Sequence, residues 1–410
     1  MAEFRLSEEL QAVALSVRRL VETEIAPVIK RFETEGRFPH DIIRKMGAAG
    51  WFGATFPESI GGTDIGFAAV AVIAEEISRL RPEFGYAMNM QAMTCPFTIL
   101  NWGSAAQAQS FVPDLIAGRK IGMFALSESG GGSDPAGAMK TVAKRKGDRY
   151  ILNGAKMWIT FADQCDTGLL FAKTDPAAGH RGISAFIVEP KRYKGFTAKP
   201  IAMRGLSPIL RSSAVYLDDF EVPVENRLGA EGEGFAIAMN ALDYGRLTVS
   251  ARLVGLAQAC FDLAVAYARE RVVGGHALGR YQMVQSQIAD MAVEIDAARL
   301  LTRRTAWTMD EGESATRAAS YSKYAASRAA KHAALATAEI FGGYALADDY
   351  PVSYYSAYIN MLNVGEGAPN VQRILIAEDA LGYKNADRHR VRRHGPEAAR
   401  NGGSGTSQSV

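Results

Sequence analysis

The sequence predicts an α+β chain of several domains: an N-terminal helical domain, a middle antiparallel β-barrel or sandwich, and a C-terminal helical bundle. Three observations predict it. Apolar residues recur with a helical period over roughly the first 120 positions. From about Ile121, short aliphatic and aromatic runs alternate with turn signals. After Gly234 the helical period returns and stays. A chain of 410 residues also exceeds what one simple core accommodates. The expected divisions are 1–120, 121–232 and 233–387, followed by a basic tail, 388–410, outside the folded body.

In the first domain Ser7 can cap a helix carrying Leu10, Val13, Ala14, Val17 and Leu20, which should end before Pro27. Further helices are expected over roughly Pro39–Ala49, Gly66–Leu80 and Ala105–Ala117, separated by Gly- and Pro-rich loops such as PESIGGTDIG. In the second domain the runs RYILNGAKMWIT, GLLFAKTD, GISAFIVEP and AVYLDDFEV read as strands, and Asn153-Gly154 reads as a hairpin turn. In the third, Leu247, Ala251, Val254, Phe261, Ala264 and Ala268 trace one apolar stripe. Ile288, Met291, Ile295 and Ala298 trace another, and an Ala-rich helix covers Arg317–Ile340. Long helices striped on more than one face pack as a bundle and leave a face for subunits.

Composition narrows the function. Hydrophobic residues make up 48% and charged residues 22%, with a net charge of +2, so neither nucleic acid nor an anionic membrane is called for. The basic segment Arg388–Arg400 reads as a solvated tail, with phosphate contact as the alternative. Cys95, Cys165 and Cys260 form neither a disulfide framework nor a metal pattern, which suits a reducing cytoplasm. The longest apolar run, Gly66–Ala74, is far shorter than a bilayer span. Rossmann, P-loop, HExxH and GxSxG motifs are absent, and six scattered histidines point to no metal site.

Three segments remain as candidate chemistry. FALSESGGGSD, 124–134, combines hydroxyls, glycines and backbone N–H groups suited to a phosphate or a polar ring edge, although such loops are usually plain turns. MWIT, 157–160, sets an indole beside a hydroxyl on a strand; a buried core Trp158 is the plain reading. In the last, Glu366 lies between Gly365 and Gly367, just ahead of a helix beginning near Asn370. Buried beside an apolar ligand, its pKa would rise toward that of a proton-abstracting base. An ordinary helix N-terminal Glu is the alternative.

Together, in this order and spacing, these segments resemble the acyl-CoA dehydrogenase superfamily over roughly residues 5–385. The resemblance implies a C-terminal four-helix domain, FAD as cofactor, and usually a homotetramer, with a dimer as the alternative. It places Phe124, Leu126 and Ser127 against the isoalloxazine, Ser133 near the pantetheine or phosphate of the substrate, and Trp158 and Thr160 over the flavin ring and its edge. Arg271 and Gln282 would reach the FAD pyrophosphate or adenine of a neighbouring subunit, with Phe341, Gly342 and Gly343 against the same dinucleotide. Gly132, Ile159, Ala368 and Asn370 join the cofactor side. Asp243, Tyr244, Arg246 and Gly367 join the substrate side.

Glu366 matches the catalytic base, and Gly245 occupies the position from which some branches supply the base instead. The implied reaction is α,β-dehydrogenation of an acyl-CoA to its trans-2-enoyl product. Glu366 takes the α-proton, hydride passes to flavin N5, and the Glu366 N–H with a ribityl hydroxyl holds the thioester carbonyl. An electron-transfer flavoprotein would take the electrons; the alternatives are an acyl- or peptidyl-carrier-bound substrate and an oxidase using O₂. The chain departs from the family in reading EGA rather than EGT, in Gly365 where a bulkier residue is frequent, and in VSYYSAYINM where arginines are common.

Overall fold

The computed structural model describes residues 5–383, so the basic segment Arg388–Arg400 lies outside the described residues. The first helix, α1 (Glu8–Leu20), opens on Ser7, whose Oγ accepts from the Leu10 N–H at 3.2 Å. α1 ends at Leu20, before Pro27 as expected, but the chain does not leave helical geometry there. The chain runs through a wide five-residue π turn, Val21–Ile25, directly into α2 (Ala26–Glu35), with Pro27 in its first turn. The wide turn removes the need for the N–H that proline lacks, and buried Val21, Ile25, Ile29 and Phe32 carry the apolar stripe across it.

Next come α3 (His40–Ala48) and α4 (Phe67–Leu80), the latter buried along most of its length. The short α5 (Gly85–Met88) enters a second π turn, Asn89–Thr94, followed by α6 (Pro96–Trp102) and α7 (Ala105–Ile116). A reciprocal pair of bonds between Ser104 and Gln107 caps α7.

The β layer comprises β1 (Gly122–Ala125), β2 (Val142–Lys146), β3 (Arg149–Thr160), β4 (Thr167–Lys173), β5 (Ile183–Val188), β6 (Phe196–Pro200), β7 (Ser212–Pro223) and β8 (Arg227–Leu228), with a one-turn helix α8 (Pro135–Ala138) before β2. Strand order is β6-β7-β3-β2-β4-β5-β8, with β1 alongside β4. Pairing is mostly antiparallel, but β4 meets β1 and β2 in parallel.

Asn153-Gly154 is not a hairpin turn. It lies inside β3, where the register against β7 slips by one residue, and the hairpin falls instead at Gly147-Asp148 between β2 and β3. Gly154 has φ 149°, and a Cβ there would sit 2.6 Å from Thr141 Oγ1, so the glycine serves a close approach within a bulge.

The third layer is α9 (Gly234–Glu270), α10 (Gln282–Asp310), α11 (Thr316–Phe341), α12 (Val352–Val364) and α13 (Pro369–Ala380). The 37-residue α9 packs on α4, α10, α11 and β5, and so joins all three layers. By length and composition α9 passes as a bilayer span, unlike the run at Gly66–Ala74, yet 67% of its apolar window is buried inside the protein. Cys95, Cys165 and Cys260 are buried and unbridged.

Candidate active site

The turn joining α12 to α13 carries Glu366 in the left-handed region, φ 58°, a conformation that costs a non-glycine residue about 1 kcal/mol. The residue as a whole is half-exposed while its carboxyl is buried. Oε1 accepts from Asn89 Nδ2 at 2.7 Å; Oε2 is buried with no partner. Asn89 is itself oriented by Thr248, whose hydroxyl donates to Asn89 Oδ1 at 2.7 Å. Burial raises the Glu366 carboxyl above the ordinary range, against the pull of Asn89 and of Arg246, Lys323 and Arg252. The Glu366 N–H has no hydrogen-bond partner among the described residues.

Glycine and arginine on α9 make this geometry. A Cβ on Gly245 would stand 2.8 Å from the Glu366 carboxyl, so the bare helix surface is what lets the carboxyl lie against α9. One residue on, Arg246 donates from Nε to the Glu366 carbonyl at 3.1 Å and from Nη1 to Asp243 Oδ1 at 2.5 Å. Asp243 also accepts from Thr316 Oγ1 at 2.7 Å. Tyr244, two positions before Arg246, packs instead in an aromatic group with Phe67 and Phe97.

Lys323 on α11, fully buried, donates to the Leu362 carbonyl at 2.6 Å and so binds the C-terminal end of α12; burial pushes its ammonium down to about 7. Gly367, also left-handed, has its carbonyl held by Gln372 Nε2 at 3.1 Å. Ala368 caps α13, and Asn370 is exposed on its first turn.

The β layer supplies a second surface. Trp158 is not a core residue: it is 59% exposed, held outward by φ 65° within a bulge between Lys156 and Ile159. Its neighbour Ile159 faces the core, and Thr160 Oγ1 lies 3.5 Å from Ser212 Oγ. The 124–134 loop is tied to β3 by two residues that the sequence did not single out. Buried Glu128 accepts from Lys156 Nζ at 2.9 Å and from Thr141 Oγ1 at 2.6 Å. Burial would lift the Glu128 carboxyl, but Lys156, Thr141 and the Lys140 N–H together outweigh it and hold it below its ordinary value; Lys156 in turn is pushed down to about 8 by burial. Phe124 and Ser127 are half-exposed and Leu126 is buried; Gly132 and Ser133 are exposed at the loop tip.

A third cleft, about 580 Å³, is lined by Tyr267, Arg271, Phe341, Gly342, Gly343 and Tyr344. Phe341 stacks on Tyr267 with centroids 3.9 Å apart, and a Cβ on Gly342 or Gly343 would meet nothing within 4 Å. Arg271, Phe341, Gly342 and Gly343 are thus brought together. Gln282 lies exposed at the start of α10 and does not line this cleft. Among the described residues no cluster of His, Cys, Asp and Glu could hold a metal.

Three family descriptions match in order: acyl-CoA dehydrogenase N-terminal domain over residues 7–119, middle domain over 123–220, and C-terminal domain over 232–381. The chain belongs to the acyl-CoA dehydrogenase family. A glutaryl-CoA dehydrogenase of Desulfococcus multivorans is 38% identical over 94% of this chain and 100% of that protein. A short-chain specific acyl-CoA dehydrogenase of Clostridium acetobutylicum is 34% identical over 92% and 98%. Among solved structures, a glutaryl-coenzyme A dehydrogenase in complex with glutaryl-CoA superposes with a TM-score of 0.90 at 38% identity, over 96% of this chain and 100% of that one.

This acyl-CoA dehydrogenase is therefore an oxidoreductase of the CH–CH group, from a family whose members depend on FAD. Its bare Gly245 carries a prediction. Gly245→Ala should displace the Glu366 carboxyl; if that carboxyl takes part in the reaction, flavin reduction slows by roughly 100-fold while FAD content stays unchanged, since misplacing a reacting group by about 1 Å has effects of that size. Anaerobic stopped-flow reduction checks this, and a rate within twofold of the parent would show the carboxyl has room to spare.

Proposed function

We propose that the protein dehydrogenates an acyl-CoA thioester to its trans-2-enoyl product, with Glu366 as the base that removes the α-proton. The observation that carries this reading is the Glu366 carboxyl itself: buried, oriented through Oε1 by Asn89, and with Oε2 left open to receive a proton. Its raised pKa narrows the gap to a weakly acidic C–H, as general-base catalysis requires. The unpartnered Glu366 N–H is a donor for the thioester carbonyl, which would place the α-carbon beside Oε2 and stabilise developing enolate charge. Arg246 holds the backbone of the same residue by donating to the Glu366 carbonyl.

The residues present fit FAD. Exposed Trp158, Thr160 and the 124–127 edge offer a flat ring a platform, and the Arg271–Phe341–Gly342–Gly343 cleft offers a cation and bare backbone to a dinucleotide phosphate. Bound there, FAD supplies the acceptor for the hydride leaving the β-carbon. Ser133 at the loop tip is exposed where a thioester's polar handle would pass.

The test is a visible spectrum of the purified protein followed by anaerobic titration with acyl-CoA thioesters. A yellow protein bleached by one of them supports the reading. A protein unable to take up FAD, or one whose flavin no thioester bleaches, overturns it.

A further inference from the structure

Lys156 and Glu128 form a buried ion pair between β3 and the loop that follows β1. The Lys156 side chain is wholly buried, and Glu128 is 8% exposed. The carboxylate is fully used. Its Oε1 accepts from Lys156 Nζ, Thr141 Oγ1 and the Thr141 N–H, and its Oε2 from the Lys140 N–H at 2.7 Å. The ammonium makes a further bond, to the Leu126 carbonyl at 3.2 Å. A buried pair of this kind usually joins two segments no better than apolar side chains of the same volume would. Its place inside the core of the β layer calls for something that a methyl group cannot do.

What the ammonium does is orient one peptide. A peptide is planar and trans, so its C=O and N–H point in opposite directions. Lys156 draws the Leu126 carbonyl toward β3, and the Ser127 N–H of the same peptide is thereby turned away from it. The next carbonyl, that of Ser127, accepts from the Met157 N–H at 2.9 Å, so the segment is pinned on both sides of Ser127. The Ser127 N–H itself has no acceptor among the described residues. Beyond Met157 comes Trp158, 59% exposed at the bulge. The bond between Met157 and Ser127 thus sets a free N–H close to the exposed indole. A cation on the carbonyl end of a peptide also polarises it, which makes the N–H at the other end a stronger donor.

We propose that Lys156 is a positioning residue for the flavin: by holding the Leu126 carbonyl inward it aims and strengthens the Ser127 N–H toward the polar edge of the ring, tightening FAD binding and raising the reduction potential of the bound flavin. This rests on FAD lying against the 124–127 edge and Trp158, as proposed above, and adds a role for a residue that touches neither flavin nor substrate. The sign follows from charge. The ring gains negative charge on reduction, so a fixed donor at its edge favours the reduced form over the oxidised one.

The experiment measures the potential of FAD-loaded protein against a reference dye during slow anaerobic reduction by dithionite, with no thioester present. FAD affinity is read separately, from fluorescence quenching on titrating apoprotein. Lys156→Met should lower the ratio of reduced to oxidised flavin at a given potential about tenfold, which is about 30 mV for a two-electron couple. It should weaken FAD binding by roughly tenfold, the size expected for one charge-assisted hydrogen bond. That variant also leaves Glu128 buried without its cation, so its resistance to denaturant falls. The double variant Lys156→Met with Glu128→Gln removes the stranded anion and should regain most of that resistance. Its potential should stay as low as in the single variant, because nothing draws the Leu126 carbonyl inward. The double variant carries the test alone if the single one fails to fold.

Recovery of potential and FAD affinity along with stability in the double variant overturns the assignment, since the pair then acts through the fold alone. So does a ratio within twofold of the parent in the variants. Either result leaves the FAD reading standing, whereas a parent protein that takes up no FAD removes both.

Discussion

Replacing Glu366 by glutamine is expected to slow reduction of bound flavin by an acyl-CoA thioester by at least about a thousand-fold, the upper range for losing a general base at an unreactive carbon. Glutamine retains the shape and can accept from Asn89, so FAD content and thioester affinity should be kept while the proton acceptor at Oε2 is lost. Single-turnover stopped-flow reduction separates the two, and a loss below tenfold would remove Glu366 from the reaction.

The same substitution has a stability signature. Burial raises the folded-state pKa of Glu366 above its ordinary 4.5, so its contribution to stability is present below the unfolded pKa and is lost as pH rises through the folded one. The parent should therefore lose stability relative to Glu366→Gln between mildly acidic and neutral pH. Thermal unfolding of the two proteins at pH 5 and pH 8 shows this as a Tm difference that grows with pH. Parallel pH profiles would contradict a raised pKa. By the same sign, the rate with the parent should fall on acidification through a pKa above 4.5, as the base becomes protonated.

The second large effect is at Arg246. Arg246→Met removes the cation buried against Asp243 and releases the Glu366 carbonyl. Breaking one side of a buried ion pair typically costs 3–5 kcal/mol, on the order of 3 kcal/mol or more here. Without that bond Glu366 is free to leave its left-handed conformation, so flavin reduction should also fall by roughly 100-fold.

The two consequences are separable. In the double variant Arg246→Met with Asp243→Asn the buried anion is gone as well, so stability should largely recover, while reduction stays slow because nothing holds the Glu366 carbonyl. Denaturant unfolding and stopped-flow reduction on the four proteins of the cycle check both halves. Recovery of the rate along with the stability would show that Arg246 acts through the fold alone.

The three-layer order was legible because each layer keeps one hydrophobic period over long stretches, whereas Glu366 was singled out through the resemblance of its segment to the family's, since by itself it reads as an ordinary helix N-terminal Glu. The misreadings share a cause. Asn153-Gly154 and the plain core reading of Trp158 fail at two bulges in β3, and the chain stays helical past Pro27 because a π turn precedes it; local signals there describe a regular element that the tertiary packing overrides. Asn89, Glu128, Lys156, Arg252 and Lys323 were invisible for another reason. Each stands among other polar or small residues of its own segment, and only the neighbour it meets, tens to hundreds of positions away, separates a buried partner from a solvated side chain.

The position of α9 in the chain has a consequence for how the protein is made. The apolar face of α4, including Ala69, Val70, Ile73 and Ile77, is complete once Leu80 has been synthesised, but much of its cover lies on α9, which begins at Gly234. At roughly 5–20 residues per second that face waits on the order of 10–30 s on the ribosome, while the intervening strands pair among themselves. The nascent N-terminal helices are thus a client for chaperones throughout that interval, and slower translation across the β layer lengthens the exposure rather than relieving it.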